Sequence, residues 1–418
     1  MENPININNR ISYARIIKYI FVHLLLLFGV YIVYGLAMHL KISPSPAELL
    51  DLDAINYNKI KEGGYSYVEN KQSLVAFFPG FPYLWKYSGL GIYGICVLNI
   101  VLFLTGFLFL CRYFANDRTE ILLFLSLPPM VFMYIPFSEA SFFVPSTLLL
   151  IGLLKRENWL VMAGLFLCSV FRSASNIFLP AIIVTEMIAS NNPSQLKNIF
   201  LYTFSMVSGV LLVVWIQYVQ TGRWFVFLTT QKQWGVGLRV PSLPFRTWGN
   251  MDHLDGAALL AGLVISGIIV YFLVRFVLKG EKRENKAVLF SLLYISGLTI
   301  FTIAFKGGAI FSFNRYIVPT AFFFVALTYL IRQRSFTWKQ VAAISLLIFV
   351  FWIPFFFSFV HILVIIGYLW LTLYLGAYLL LNNKSAMVQK ASFYALYAIN
   401  LVIQVSLFYR ITGHFWVG

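Results

Sequence analysis

Long apolar stretches alternate with short charged segments along most of the chain. A helix needs about 20 apolar residues to span a bilayer, and on that basis the alternation predicts about thirteen transmembrane or partly spanning helices. The third is expected to end near Pro136, the eighth to begin near Ala257 and the tenth to cover 315–331. The apolar stretch 159–190 breaks at the polar sequence FRSASN, which predicts two short helices that meet near Arg172.

The composition agrees with this pattern. Hydrophobic residues make up 60% of the 418 positions and charged residues 11%, and the mean hydropathy is +0.81. Soluble domains are about half apolar and about a quarter charged. We therefore predict an all-α polytopic membrane protein, with one membrane-embedded domain that covers residues 1–418.

Lysine and arginine are denser in the short segments between alternate apolar stretches than in the long ones. Such short basic segments are usually cytoplasmic. We expect a cytoplasmic N-terminus, an outer C-terminus and two long outer loops, residues 41–90 and 220–256. The net charge of +16 is scattered over the predicted membrane edges, so it favours contact with membrane lipids and argues against nucleic-acid binding. Frequent Lys, Ile, Asn and Phe suggest a bacterial plasma membrane.

Cysteine and histidine give no sign of a metal site or a disulfide. Cys96, Cys111 and Cys168 all lie in apolar stretches without CxxC spacing or a nearby histidine, and the histidines are not spaced as metal ligands. We expect no disulfide, no zinc site and no other cofactor.

The first outer loop contains a helical pattern. Four apolar residues follow one another at spacings of three and four: Leu50, Ala54, Tyr57 and Ile60. Gly63-Gly64 then provides a stop. The pattern predicts a short amphipathic helix at the membrane surface. Asp51 or Asp53 lies at its N-terminus, where a carboxylate can cap free N–H groups.

Two further features of this loop concern its chemistry. Asn56 and Tyr57 follow Asp53 by three and four residues, which places them on the same helix face. The sequence AFFPGFP, from Ala76 to Pro82, combines two prolines, a glycine and three phenylalanines. This composition favours a rigid, non-helical plug or re-entrant segment.

The sequence DAINYNKIKEGGYSYVENKQSLVAFFPGFP resembles the first lumenal loop of the PIG-V family, the second mannosyltransferase of GPI-anchor assembly, and its bacterial relatives. Asp53, Gly64-Tyr65 and the run 77–82 match that pattern. Leu52 stands where tryptophan is usual, and Asn56 where histidine is usual. The resemblance implies a GT-C-type helical bundle.

The same resemblance implies an activity. It implies inverting transfer of a sugar, most often mannose, from a polyprenyl-phosphate donor to a lipid-linked or cell-surface glycan on the outer side. Asp53 would be the general base that takes the proton of the acceptor hydroxyl. Arg172, with Lys306 or Arg315, would hold the donor phosphate, because a guanidinium binds phosphate in a bidentate manner.

Asn56 and Tyr57 of the first outer loop, and shorter patches that resemble the family less closely, complete the set of candidate donor- and acceptor-binding residues: Asn56, Tyr57, Glu139, Arg172, Gln231, Trp234, Lys306 and Arg315. Each has an ordinary structural alternative. The acids can be helix caps, Arg172 can be a structural partner of Glu139, and Trp234 can belong to an interfacial aromatic belt. The two remaining cations can reach the membrane surface at helix ends.

Two other function classes stay open. A glycolipid or polyprenyl-linked glycan transporter would act without catalysis, and such proteins often contain internal repeats. No repeat is evident here. A catalytically inactive relative that binds a glycolipid is the other alternative, and turnover of a polyprenyl-phosphate sugar by the purified protein would separate it from an enzyme.

Overall fold

The computed structural model describes residues 11–173, 175–189, 194–247, 251–282, 285–333, 335–356 and 362–415. Residues 248–250 of the second outer loop therefore lie outside the described part of the chain. The described residues are mostly helical, and their only β-type pairing is one isolated bridge between Arg246 and Ala309. The predicted all-α class is confirmed.

The helices follow one another closely along the chain, with 3₁₀ turns at Leu74–Ala76 and Pro128–Met133. Their bounds are α1 Tyr13–Ala37, α2 Pro46–Leu49, α3 Asp53–Gly63, α4 Gly80–Ser88, α5 Ile92–Phe114, α6 Arg118–Ser126, α7 Glu139–Lys155, α8 Asn158–Phe171, α9 Ser175–Ala189, α10 Gln195–Thr221, α11 Val226–Gln233, α12 Asp252–Lys279, α13 Lys286–Phe305, α14 Phe313–Ile317, α15 Ala321–Gln333, α16 Trp338–Phe356, α17 Ile362–Leu380 and α18 Ala386–Thr412.

Six of the described helices are long and apolar enough to cross a membrane, by their length and composition. They are α1, α5, α10, α12, α13 and α18. Many side chains on these helices remain exposed although they are apolar, among them Phe28 and Val33 in α1. Because exposed apolar faces of this kind suit contact with lipid, the chain is an integral membrane protein. The count of about thirteen spans stays a prediction.

Prolines explain where the predicted helices and the observed ones differ. The third predicted helix was expected to continue to Pro136, but α6 ends at Ser126, and Pro128 begins a 3₁₀ turn. The tenth divides into α14 and α15 around Pro319, whose ring cannot donate a backbone hydrogen bond. In contrast, the two short helices expected on either side of Arg172 are confirmed as α8 and α9.

The first outer loop folds largely as its spacing predicts. Helix α3 buries Ala54, Tyr57 and Ile60 on one face, and it ends at Gly64, which has a positive φ of 73°. The plug predicted for AFFPGFP is wrong in its second half, because α4 begins at Gly80. Pro82 is tolerated there, since N–H groups in the first helical turn have no intrahelical acceptor.

Helices α7 and α8 form a tightly packed hairpin. A side chain at Gly152 would place its Cβ 2.7 Å from the backbone nitrogen of Val161, and one at Gly164 would place it 2.7 Å from that of Leu149. Glycine at both positions lets the two backbones touch. The open end of this hairpin carries Glu139 and Arg172.

Helix α5 connects the two ends of the bundle. Its 23 residues give it a length of about 34 Å. Near its start, Ile95 lies in the hydrophobic cluster that underlies α3. At its other end, the carbonyl of Phe114 accepts a hydrogen bond of 2.7 Å from Arg332, which also pairs with Glu120 at 2.6 Å. We call these the α3 end and the Glu120 end.

Candidate functional site

Asp53 is the first residue of α3, but its carboxylate does not cap that helix. The helix begins after Leu52, which has a positive φ of 51°, and no side chain accepts a hydrogen bond from the first turn. Asp51 accepts from the backbone N–H of Leu52 instead, at 2.8 Å. The expected capping role is therefore wrong for both acids, and the Asp53 carboxylate is turned toward a distant arginine.

That arginine is Arg315, in α14. Its Nη1 lies 2.7 Å from Oδ2 of Asp53, and its Nε donates to Oε1 of Glu139 at 2.5 Å. The guanidinium also lies over the rings of Phe137 and Phe132, with distances of 4.3 and 5.2 Å to their centroids. Arg315 thus joins an acid of the first outer loop to an acid of the helix bundle.

Glu139 is fully buried at the start of α7, and it interacts with two cations. The same oxygen that accepts from Arg315 also accepts from Nη2 of Arg172, whose guanidinium stacks on Phe142. The other carboxylate oxygen, Oε2, is buried and has no hydrogen-bond partner. Asp53, Glu139, Arg172 and Arg315 form the unit that we call the charged cluster. Two acids balance two cations in it.

The charged cluster is buried on one side and open on the other. The exposed fraction of the side chain is 0% for Glu139, 3% for Arg315 and 28% for Asp53. Asp53 is therefore the carboxylate that a ligand can reach. Burial lowers the pKa of Arg315, and the charges of Asp53 and Glu139 outweigh this effect, so the pKa lies well above its ordinary value.

Tyr57 connects α3 to α7 beneath the charged cluster. Its hydroxyl donates to Oγ of Ser138 at 3.0 Å, directly before Glu139 in the chain. Burial raises the pKa of the Tyr57 phenol, and the charges of Asp53 and Glu139 raise it further. The phenol is therefore neutral at ordinary pH and acts as a hydrogen-bond donor.

Aromatic rings lead from Tyr57 to the second outer loop. Phe77 meets Tyr57 edge to face with 5.4 Å between centroids, and it meets Trp234 in the same way at 5.7 Å. Trp234 follows α11 directly and remains partly exposed. Phe77 thus contacts both rings and connects Trp234 to Tyr57.

Two candidate residues with side-chain amides lie outside the charged cluster. Asn56 is half-buried one turn after Asp53, and Gln231 is half-buried one turn before Trp234. In the described part of the chain, neither side-chain amide donates a hydrogen bond to the four charged residues. Both residues keep part of their surface accessible.

Lys306 lies just after α13. Its ammonium group is 4.7 and 4.8 Å from the ring centroids of Phe311 and Tyr316, and Tyr316 is the neighbour of Arg315. No carboxylate lies within 4.0 Å of it in the described residues. Lys306 thus forms no ion pair in the described part of the chain, although the charge of Asp255 acts on it.

Asp255 was not among the candidate residues, although it supports the same site. Its carboxylate accepts from the backbone N–H of Asn314 at 2.9 Å, from the Asn314 amide at 2.7 Å, and from the hydroxyl of Thr247. These bonds hold α14, which carries Arg315, against α12 and the second outer loop. An acid so close to an apolar helix was the available signal, because a buried acid needs partners.

Comparisons with known proteins add no identity. No protein-family model, no curated protein and no solved structure matches the chain. A metal centre has no candidate ligands in the described ranges either, since no three His, Cys, Asp or Glu side chains there are grouped closely enough to hold an ion. Any functional argument therefore depends on the geometry of the site.

Proposed function

We propose that the chain is a membrane glycosyltransferase of the GT-C type. In this proposal it transfers a sugar, mannose by the resemblance of its first outer loop, from a polyprenyl-phosphate donor to a hydroxyl of a glycolipid or surface glycan. One observation carries the proposal. Asp53 presents a partly exposed carboxylate at the end of an apolar helix bundle, where Arg315 fixes its orientation. A positioned carboxylate of this kind can serve as a general base.

The proposed reaction is a single displacement at C1 of the sugar. The acceptor oxygen forms a bond to C1 as the bond between C1 and the phosphate oxygen breaks, and the configuration inverts. Asp53 takes the hydroxyl proton, and the polyprenyl phosphate leaves with the bonding electron pair. Arg315 holds the carboxylate 2.7 Å away, so the base does not need to be ordered when the acceptor arrives.

The surroundings of Asp53 support a sugar as the ligand. Trp234 offers a partly exposed indole face, which can cover the apolar face of a sugar ring. The amides of Asn56 and Gln231 can donate to hydroxyl groups and accept from them.

A transfer assay tests the proposal directly. The purified protein in lipid nanodiscs is given a polyprenyl-phosphate donor with a radiolabelled sugar, together with a lipid extract as a source of acceptors. We expect labelled product and free polyprenyl phosphate in equal amounts. A protein that produces neither, yet moves the labelled lipid across vesicle membranes, would be a transporter and would refute the proposal.

A further inference from the structure

The balance of charges at the α3 end argues against Arg172 and Arg315 as the main phosphate ligands. Each already pairs with Glu139, and Arg315 pairs with Asp53 as well. A phosphate placed there would compete with two carboxylates that are fixed in position, and it would meet the unpartnered Oε2 of Glu139. Two negative groups repel at this distance. An anion therefore needs cations that no acid neutralises.

Such cations surround the turn that follows α13. Gly307 and Gly308 have consecutive positive φ angles of 60° and 91°. Their two backbone N–H groups donate to no acceptor in the described residues. Successive free N–H groups in a turn of this kind form a concave site for an anion, and Lys306 precedes them directly.

The second outer loop lies along this turn and adds two arginines. Five backbone hydrogen bonds of 2.8–3.2 Å join the two segments: Gly237 to Phe305, Arg239 to Ala304, Ser242 to Gly307, Arg246 to Gly308, and Ile310 to Arg246. The side chain of Arg239 packs against Gly307, where an added Cβ would lie 3.3 Å from its Cδ. Both arginines are exposed. Neither has a carboxylate within 4.0 Å among the residues described.

Asp255 is the acid that acts on this turn from nearby, through its electrostatic interaction with Lys306. It is fully buried and bonded to Asn314 and Thr247. Against its single negative charge stand the three positive charges of Lys306, Arg239 and Arg246. The turn therefore keeps an excess of positive charge on its exposed side.

Apolar side chains next to these cations indicate what carries the anion. Val240 is 91% exposed, Leu238 78% and Leu243 57%, although all three are large and hydrophobic. Alternation of exposed aliphatic and basic residues suits a phosphate at the end of a hydrocarbon chain better than free inorganic phosphate.

We propose that the Lys306–Gly308 turn, with Arg239 and Arg246, binds the phosphate group of a lipid-linked ligand. This assignment rests on the proposed function in one respect, since it identifies that lipid as the polyprenyl-phosphate donor. Tyr316 lies between the two regions, because it contacts Lys306 and adjoins Arg315. The phosphate then sits on the Lys306 side of Tyr316, and the next residue in the other direction, Arg315, holds Asp53. In this arrangement the sugar extends from the phosphate toward Asp53.

Binding of a donor fragment tests the site independently of turnover. The probe is fluorescent polyprenyl phosphate titrated into the protein in neutral nanodiscs, with polyprenol, phosphatidylglycerol and inorganic phosphate as competitors. Arg239→Gln and Arg246→Gln should each weaken binding about tenfold, the loss expected for one charge-assisted hydrogen bond. Arg223→Gln is the matched control, because Arg223 is an exposed cation of the same loop that already pairs with Glu69.

Each outcome has a definite meaning. Unchanged binding in both variants would overturn the site, as would equal competition by phosphatidylglycerol, which would show a general lipid surface, or by inorganic phosphate. Asp53→Asn should bind polyprenyl phosphate normally. If the binding results hold while the wild type transfers no sugar, the phosphate site stands and the glycosyltransferase proposal fails.

Discussion

The guanidinium of Arg315 holds the carboxylate of Asp53 at 2.7 Å, although the first lies in α14 and the second in the first outer loop. This contact fixes the position of the proposed base relative to the helix bundle. It also explains why Asp53 does not cap its own helix. A carboxylate that is partly exposed gains more from a buried guanidinium than from the neutral N–H groups of a helix start.

The first prediction concerns the base. Asp53→Asn keeps the size of the side chain and one oxygen for Arg315 but removes the proton acceptor. Turnover should fall roughly 10²–10⁴-fold. Stability should fall less than in Glu139→Gln, because Asp53 is 28% exposed and solvent screens the charge of Arg315 that it leaves behind. Asp51→Asn is the control, because Asp51 bonds to its neighbour Leu52 and pairs with His414 at 3.3 Å. Near-normal turnover by Asp53→Asn would remove the base from the mechanism.

The second prediction concerns Glu139 and Arg172. Glu139→Gln leaves two buried guanidinium groups with Asp53 alone, and removal of one partner from a buried ion pair costs about 3–5 kcal/mol. Adding Arg172→Gln removes the excess charge, so the double variant should be more stable than the sum of the single effects by about 1–3 kcal/mol. Denaturant unfolding in mixed micelles measures this. Additive losses would mean that the two residues do not interact.

The third prediction separates Arg172 from the phosphate. Arg172→Lys keeps the positive charge but loses the planar group that stacks on Phe142. The melting temperature should fall, and the affinity for polyprenyl phosphate should stay within about twofold of the wild type, a change of under 0.5 kcal/mol. A large loss of affinity in a well-folded Arg172→Lys protein would show that Arg172 binds the phosphate.

The fourth prediction concerns the connection between α3 and α7. Tyr57→Phe removes the hydroxyl that donates to Ser138 and leaves that buried oxygen without its donor. We expect a loss of stability of about 1–3 kcal/mol. Turnover should fall further than donor binding, because α3 carries Asp53 and the phosphate site lies on another segment. Equal losses of turnover and of donor affinity would contradict this separation.

A fifth prediction tests orientation. Ser66 is exposed in the first outer loop, and Arg118 is exposed next to α6 at the Glu120 end. In a cysteine-free background, Ser66→Cys should react with a membrane-impermeant thiol reagent in intact cells. Arg118→Cys should react only after the cells are opened. The reverse pattern would place the Asp53 carboxylate on the cytoplasmic side, where the proposed donor assignment fails.

The sequence predicted the fold better than it predicted the site, because helices follow from local spacing and the site depends on contacts between distant segments. Helix α3 follows from apolar residues three and four apart and from a glycine stop, both of which act within one segment. The breaks at Pro128 and Pro319 were equally local, and hydropathy alone hid them because the surrounding residues stay apolar.

The candidate residues were found in sequence, but only one of the ion pairs between them was. Glu139 and Arg172 were paired as one alternative, and the structure confirms that pair. Arg315 was expected to meet a phosphate. The structure places it between Asp53 and Glu139. Asp255, Arg239 and Arg246 were passed over, because only tertiary packing brings them beside Asn314 and the glycine turn.

The glycine contacts between α7 and α8 also restrict which parts of the described chain can move relative to one another. Two helices whose backbones touch at Gly152 and Gly164 cannot slide without a steric clash, and the ion pair of Glu139 with Arg172 closes their free end. The α7–α8 hairpin is then a rigid part of the fold. Any opening and closing around a long lipid then falls to the second outer loop, because the first touches the hairpin at Gly80, where an added Cβ would lie 2.9 Å from the Cα of Phe171.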